Sequence, residues 1–584
     1  MAIDSLSALR SATAAVLLAI VAAAAFAGCI DHTGSSANDE TQYKSDPPRV
    51  RLVLQITVDQ LRGDLLDRYG HRFGDDGFRR LLDSGVVYTD AHYSHANTET
   101  IVGHTTLATG TTPSQHGMIG NVWYDRSAGR VVYNIEDAEH DLVGEIVGGS
   151  SPLFGPATVA HSKGRSPMAI LASTFTDELS KATNGRSRVF SVALKDRAAV
   201  PMAGKSGKAI WYSNGSGRFV SSAYYFDQAP SWLVEFNTGR SAARFADSQW
   251  ELLEPKTSYL FGQHDDRPFE SMMGLFGRTF PHAFGSVTDP SLAARVACSP
   301  AGDEMVAELA TLIVDKQQLG QREVVDYLAV GFSATDYIGH TFGPSSLEAE
   351  DNILQLDRTL AGLLDHIDEK VGLSATLVVL SADHGVSGAP EALRAQGIDA
   401  QRLSADALEG TELRARIAQR FGSGDLVVGF IHPYVHLNRK RIAAAGLELA
   451  DAQRFAAGEL ALVEGVERAV AAADMNHATD APLPLRLVAD NHHEIRSGDV
   501  YVVPRAHWLP YSGTRMRALT ATHGSPWPYD RHVPIVFSGP GIEPARIARP
   551  VEPKDIAPTL SAYLAVEAPS KTTGNVLEEV VPTR

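Results

Sequence analysis

Three aspartates and three histidines stand where a chain could assemble a metal centre. Asp59 follows the apolar run LVLQITV. Asp336 and His340 follow VVDYLAVGF as Asp-x-x-x-His, and Asp383 and His384 follow TLVVLSA as Asp-His-Gly. His523 precedes VPIVF within Thr-His-Gly. Carboxylate and imidazole are both ligands that zinc accepts. Shared between two ions, they give each ion three protein ligands and leave one position for a nucleophile or a substrate oxygen. Taken singly, an Asp after a strand is more often a cap or turn residue, and a lone His more often a surface or core group. The joint pattern carries the argument. Thr100 adds a hydroxyl at the start of an expected helix. An N-cap is the ordinary role of Thr there. The same location offers free N–H groups and partial positive charge, which favour an alkoxide and a phosphate. A metal ion on the hydroxyl would lower its pKa and make it a nucleophile.

Regular elements must hold these groups. Apolar runs over Arg51–Val58, Val86–Ala91, Arg188–Leu194, Val324–Val330, Ala375–Leu380 and Val533–Phe537 read as strands. Helical patterns cover Phe78–Ser84, Thr100–Leu107, Met168–Ala182, Met305–Val314, Leu347–Ile367 and Ile556–Leu564. The alternation predicts an α/β fold: a mostly parallel central sheet covered by helices on both faces. Open sheets of this kind bind ligands beyond the carboxyl ends of their strands, where the six residues fall. Two stretches, about 204–300 and 388–493, break the rhythm and are expected as insertions that cap the sheet. No short internal repeat is present.

The net charge of −17 argues against general nucleic-acid binding, which needs a basic face. Bound metal ions and local Lys or Arg would still let an acidic protein hold phosphate. Ala14–Ala27 reads as the apolar core of a signal peptide over residues 1–29. It ends in Phe-Ala-Gly-Cys, similar to a bacterial lipoprotein box, with Cys29 as the lipidated residue. Residues 30–48 are polar and read as a tether. The expected location is across the inner membrane, periplasmic or anchored to the outer membrane, with the lipid as the only membrane contact. Cys298 then has no disulfide partner and reads as a small packed residue.

Several segments, taken together and in order, resemble the alkaline phosphatase superfamily. The closest likeness is to bacterial phosphate-irrepressible periplasmic alkaline phosphatases, whose nucleophile is Thr. The segments are VDQLRGD, TETIVGHTTLATGTTPSQHG, GNVWYD, LKDRAAV, GFSATDYIGHTFGP, LSADHG, RSGDVYVV and THGSPWPYDRHVPIVF. The resemblance implies a catalytic domain over about 49–570. It implies one zinc held by Asp59, Asp383 and His384 with Thr100 as fourth ligand, and a second held by Asp336, His340 and His523. Such paired ions lie about 4 Å apart and clamp both apical oxygens of an in-line displacement. Asn121 matches a residue that hydrogen-bonds a phosphoryl oxygen, and Lys195 and Arg197 match a pair that contacts the transferred phosphoryl group. The expected reaction is hydrolysis of small-molecule phosphate monoesters through a phosphothreonine. Lys195 and Arg197 favour that reading over a phosphodiesterase or nucleotide pyrophosphatase, because a dianionic monoester gains more from added cations. A phosphonate hydrolase and a non-catalytic surface lipoprotein are weaker alternatives. A sulfatase would need a modified Cys in Cys-x-Pro-x-Arg, and mutase-like members use Ser and manganese. His104, His116, His492 and His493 are assigned to packing or loops, not to metal.

Overall fold

The computed structural model describes residues 50–144, 159–270, 276–475, 481–511 and 519–582. The expected signal segment with Cys29, and the tether, lie outside the described residues. No helix among the described residues is long and apolar enough to cross a membrane.

The main sheet has ten strands. In chain order they are β1 (Leu52–Val58), β2 (Val86–His92), β3 (Leu142–Val143), β4 (Val189–Ala193), β5 (Lys208–Ser213), β6 (Arg218–Ser222), β7 (Asp326–Phe332), β8 (Thr376–Ser381), β9 (His532–Ser538) and β10 (Ala545–Ile547). Their order across the sheet is β10-β2-β9-β8-β1-β7-β4-β5-β6-β3. The centre, from β8 through β5, is parallel. Every residue of β1 is buried, which explains why its sequence is apolar on both faces. Its one long polar side chain, Gln55, accepts from the Tyr327 hydroxyl at 2.8 Å.

Register positions the site. Val58 of β1 pairs with Phe332 of β7, Thr57 with Ser381 of β8, and Gly331 of β7 with Ala193 of β4. Continued by one or two residues, those pairings align Lys195, Ser333, Asp59 and Asp383 in one row beyond the strand ends. Strand β9 runs antiparallel to both β8 and β2. Its beginning therefore lies at the end of the sheet where β8 finishes. This is why His523 precedes its strand while the other candidate ligands follow theirs.

Two expectations need correction. The helix expected over Met168–Ala182 forms only from Phe175 to Ala182. Thr174 caps it: its hydroxyl accepts from Asp177 N–H, and Asp177 accepts from Thr174 N–H. The stretch expected as a cap over 204–300 begins with β5 and β6, which extend the central sheet. The region about 388–493 holds three strands of a separate four-stranded sheet: Val427–Ile431, Tyr434–Leu437 and Val466–Ala471. Its fourth strand, Val500–Pro504, lies further along the chain. That sheet is antiparallel and packs its own apolar cluster around Leu413, Val435, Leu460 and Val500.

Candidate active site

Asp59, Asp336, Asp383 and His384 are each buried at the carboxyl ends of β1, β7 and β8. Asp336 and His340 lie one turn apart on the helix Ala334–Phe342 that follows β7. Two sets of ligand atoms gather within 4.8 Å of one another: Asp336, His340 and His523, and Asp59, Asp336 and His384. Asp336 Oδ1 lies 3.2 Å from His340 Nε2 and 3.3 Å from His523 Nε2. His384 Nε2 lies 3.5 Å from Asp59 Oδ1 and 3.4 Å from Asp383 Oδ2. The rings of His384 and His523 stack at 3.6 Å between centroids, so the two sets adjoin.

The imidazoles are oriented alike. Each Nδ1 bonds a backbone carbonyl: His340 to Ala521 at 2.9 Å, His384 to Gly385 at 2.9 Å and His523 to Thr98 at 2.6 Å. A carbonyl only accepts, so each Nδ1 carries the proton and each Nε2 faces the carboxylates. This is how metal-binding histidines are usually held. Asp59 Oδ1, Asp383 Oδ2 and His384 Nε2 are buried without a hydrogen-bond partner. Three buried carboxylates cluster here, and Lys195 Nζ contacts Asp59 Oδ2 at 2.6 Å and pairs with Asp336. Burial, then the charge of Asp383, pushes Asp59 up to about 7. Burial works against charge on His523, yet its bond to Asp336 outweighs that and lifts it to about 9. Burial takes His384 down to about 3. Orphaned donor atoms, oriented imidazoles and three clustered carboxylates fit divalent cations of the kind that carboxylate and imidazole bind.

Thr100 is buried and opens the helix Thr100–Thr109. Glu99 before it is extended, so the helix starts at the hydroxyl. No side-chain hydrogen bond commits the Thr100 hydroxyl among the described residues. A Cβ at Gly103 would sit 2.1 Å from Asp383 O, so glycine there lets the helix close onto the end of β8. Asn121 stands just before the strand Val122–Asp125, and its Oδ1 accepts from Ile101 N–H at 3.3 Å. Arg197 lies in the first turn of the helix Asp196–Ala203 that follows β4, whose N-cap is Lys195. The Arg197 side chain is largely buried, its Nε has no hydrogen-bond partner, and no carboxylate lies within ion-pair distance among the described residues. The turn carrying it is held by Asp196, which accepts from Tyr133 OH at 2.6 Å and Arg165 Nε at 2.7 Å.

The four histidines kept out of the metal set have local partners. His104 Nδ1 meets Thr100 O at 3.0 Å and Asp383 Oδ2 at 3.2 Å. His116 receives Met118 N–H at Nδ1 and meets Thr106 Oγ1 at 3.2 Å through Nε2. His492 caps the helix Leu483–Asn491, and His493 N–H bonds Ser497. Cys298 is buried and free, with its thiol pushed up to about 12 by burial.

The sequence reading missed Gln60. Its backbone is left-handed, at φ 71°. Its N–H bonds Asp383 Oδ1 at 3.1 Å, and its Nε2 bonds Asp336 Oδ1 at 2.7 Å. It thereby spaces two carboxylates. A Cβ at Gly339 would lie 1.8 Å from Gln60 Oε1, which accounts for glycine inside that helix. The left-handed backbone of Gln60 marks a strained position at the site that the sequence alone did not show.

A sheet of this topology with such a donor set places the chain among metal-centred α/β hydrolases. The family model described as type I phosphodiesterase / nucleotide pyrophosphatase matches residues 53–526, and the chain belongs to that family, within the alkaline phosphatase superfamily. It is 33% identical over 539 residues to alkaline phosphatase PafA of Elizabethkingia meningoseptica, covering 91% of this chain and 95% of that protein. It is 32% identical to alkaline phosphatase PhoV of Synechococcus elongatus, over 94% and 97% of the two chains. A crystal structure of wild-type PafA superposes with a TM-score of 0.82 at 31% identity, covering 92% of this chain and all of that one.

Proposed function

We propose that the chain is a zinc-dependent phosphomonoesterase that works through a phosphothreonine on Thr100. Hydrolysis of phosphate monoesters accords with the alkaline phosphatases to which it is similar. Asp59, Asp383 and His384 would hold one zinc, with Thr100 as a fourth ligand. Asp336, His340 and His523 would hold the other. The pair would supply Lewis acidity at the attacking and leaving oxygens. Thr100 Oγ attacks phosphorus, the bond to the ester oxygen breaks and the alcohol leaves. Water then cleaves the phosphothreonine, which releases phosphate and restores Thr100. The Asn121 amide donates to one phosphoryl oxygen. Lys195 and Arg197 place positive charge on the others.

The largely buried Arg197 side chain, with its Nε unbonded and no carboxylate within ion-pair distance among the described residues, carries the choice of monoester. Leaving a charged donor unpaired inside a protein costs stability unless an anion completes it. A monoester dianion gives up an oxygen to that site, whereas a diester has one fewer charged oxygen. Arg197→Ala is expected to cut kcat/KM for a phosphate monoester by about 10²–10³ and to cut it for a matched diester by less than about tenfold. Steady-state kinetics on both substrates checks this. An equal loss on both would favour the diester reading that the family description suggests.

The tract Ala14–Ala27 and the box ending at Cys29 support export and lipid anchoring of this enzyme. Cys29→Ser is expected to move it from the membrane fraction to the soluble fraction of the cells that make it. Unchanged fractionation would refute the anchor.

A further inference from the structure

Asn121 would have to point one N–H at the substrate without being able to swing away. Its amide is pinned at two of its groups. Oδ1 accepts from Ile101 N–H at 3.3 Å, and Nδ2 donates to Glu99 Oε1 at 3.3 Å. A backbone N–H only donates and a carboxylate only accepts, so both contacts demand the same orientation of the amide. One Nδ2 hydrogen is thereby used, and the second has no acceptor among the described residues. The other carboxylate oxygen of Glu99 fixes the backbone beneath: Oε2 accepts from Asn121 N–H at 2.8 Å and from Asn97 Nδ2 at 3.0 Å. Asn97 Nδ2 also donates to Ile119 O at 2.9 Å, which closes a small network across the two segments. Glu99 is itself the residue before Thr100. A single side chain therefore ties the start of the nucleophile's helix to the amide that would receive the phosphoryl oxygen.

We propose that Glu99 is a positioning residue for phosphoryl transfer, setting the Asn121 amide against the Thr100 hydroxyl. The inference rests on the reading of Asn121 as a phosphoryl contact. Its carboxylate carries negative charge close to an anion, so direct binding of substrate is not its task. Its contribution passes through Asn121. Loss of such a supporting contact typically costs about 10–100-fold, and the loss should vanish when the supported group is gone.

The test is a double-mutant cycle on the zinc-loaded enzyme with a phosphate monoester. Glu99→Ala is expected to lower kcat/KM by about 10–100-fold, mostly in kcat. In the Asn121→Ala background the same change should cost less than about threefold. Glu99→Gln turns one of the two accepting oxygens into a donor that faces an N–H, so it should keep a clear loss, mostly in kcat. Zinc content and Tm are read for each variant. An equal loss from Glu99→Ala in both backgrounds would overturn the positioning role while leaving Asn121 in place. Full activity in Glu99→Gln, with zinc and Tm unchanged, would also overturn it, because the two accepting oxygens would then not be needed. Unchanged turnover in Asn121→Ala alone would overturn the phosphoryl contact itself, and with it the role of Glu99.

Discussion

Thr100→Ala is expected to lower monoester turnover by about 10⁴-fold or more, because it deletes the nucleophile rather than a helper. The physical setting makes the prediction specific. The helix Thr100–Thr109 is buried along its length, and Gly103 seats it against the backbone of Asp383. Removing one hydroxyl and one methyl group should not move it. Zinc content should be retained at both sites, since each keeps three protein ligands. Thr100→Ser keeps the oxygen but loses the branch that restricts χ1. It should retain activity within about tenfold of the parent. Acid-quenched enzyme, digested and read by mass spectrometry, should show phosphate on Thr100 in the parent and on Ser in the Thr100→Ser variant. Turnover above about 1% of the parent in Thr100→Ala would sink the covalent route. The same fold would then have to direct water at phosphorus without an enzyme ester.

Much of this site is legible in the sequence for a simple reason. In a parallel sheet the carboxyl ends of the strands form one edge, so an Asp just past each apolar run is brought beside the others by hydrogen-bond register alone. Asp59 and Asp383 lie opposite each other because β1 and β8 pair in register from Leu52 and Thr376 onward. His523 was legible as a ligand type but not by position. Only the antiparallel course of β9 explains why it comes before its strand. Gln60 and Glu99 were not legible. Neither side chain is a metal ligand by itself, and each acts by meeting partners hundreds or tens of residues away. Gln60 bonds groups 276 and 323 positions on. The elements that misled did so locally. The apolar run Met168–Leu171 imitates a helix, but the box formed by Thr174 and Asp177 starts the helix later. The Gly-, Ser- and aromatic-rich stretch from about 204 reads as a cap, although its apolar runs over 209–212 and 219–220 form two strands that extend the sheet.

The second large effect concerns Asp336, because its carboxylate belongs to both sets of ligand atoms. Burial alone would keep this acid protonated, but His340 and Lys195 outweigh burial and hold it well below the usual carboxylate range. It is therefore a fixed negative charge on which His340, His523 and the Lys195 ammonium all depend. Asp336→Asn preserves shape and one acceptor oxygen and removes that charge. The site made by His340 and His523 would lose its only anionic ligand, so zinc there should fall at least 10–100-fold in affinity, roughly the loss seen when a ligand's partner is removed. Lys195 would keep Asp59 as its one counter-charge and should turn toward it, taking positive charge away from the phosphoryl position. The two losses fall on the same step, so kcat/KM should drop by about 10³-fold or more. Metal analysis after dialysis should find about one zinc per chain in place of two, and added zinc should restore only part of the rate, since it refills a site but cannot return Lys195. Full recovery of the rate in excess zinc would mean that Asp336 serves metal affinity alone. Two tightly held zinc ions in the variant would show that Asp336 is no ligand, and would move the second site's anionic partner elsewhere in the row beyond the strand ends.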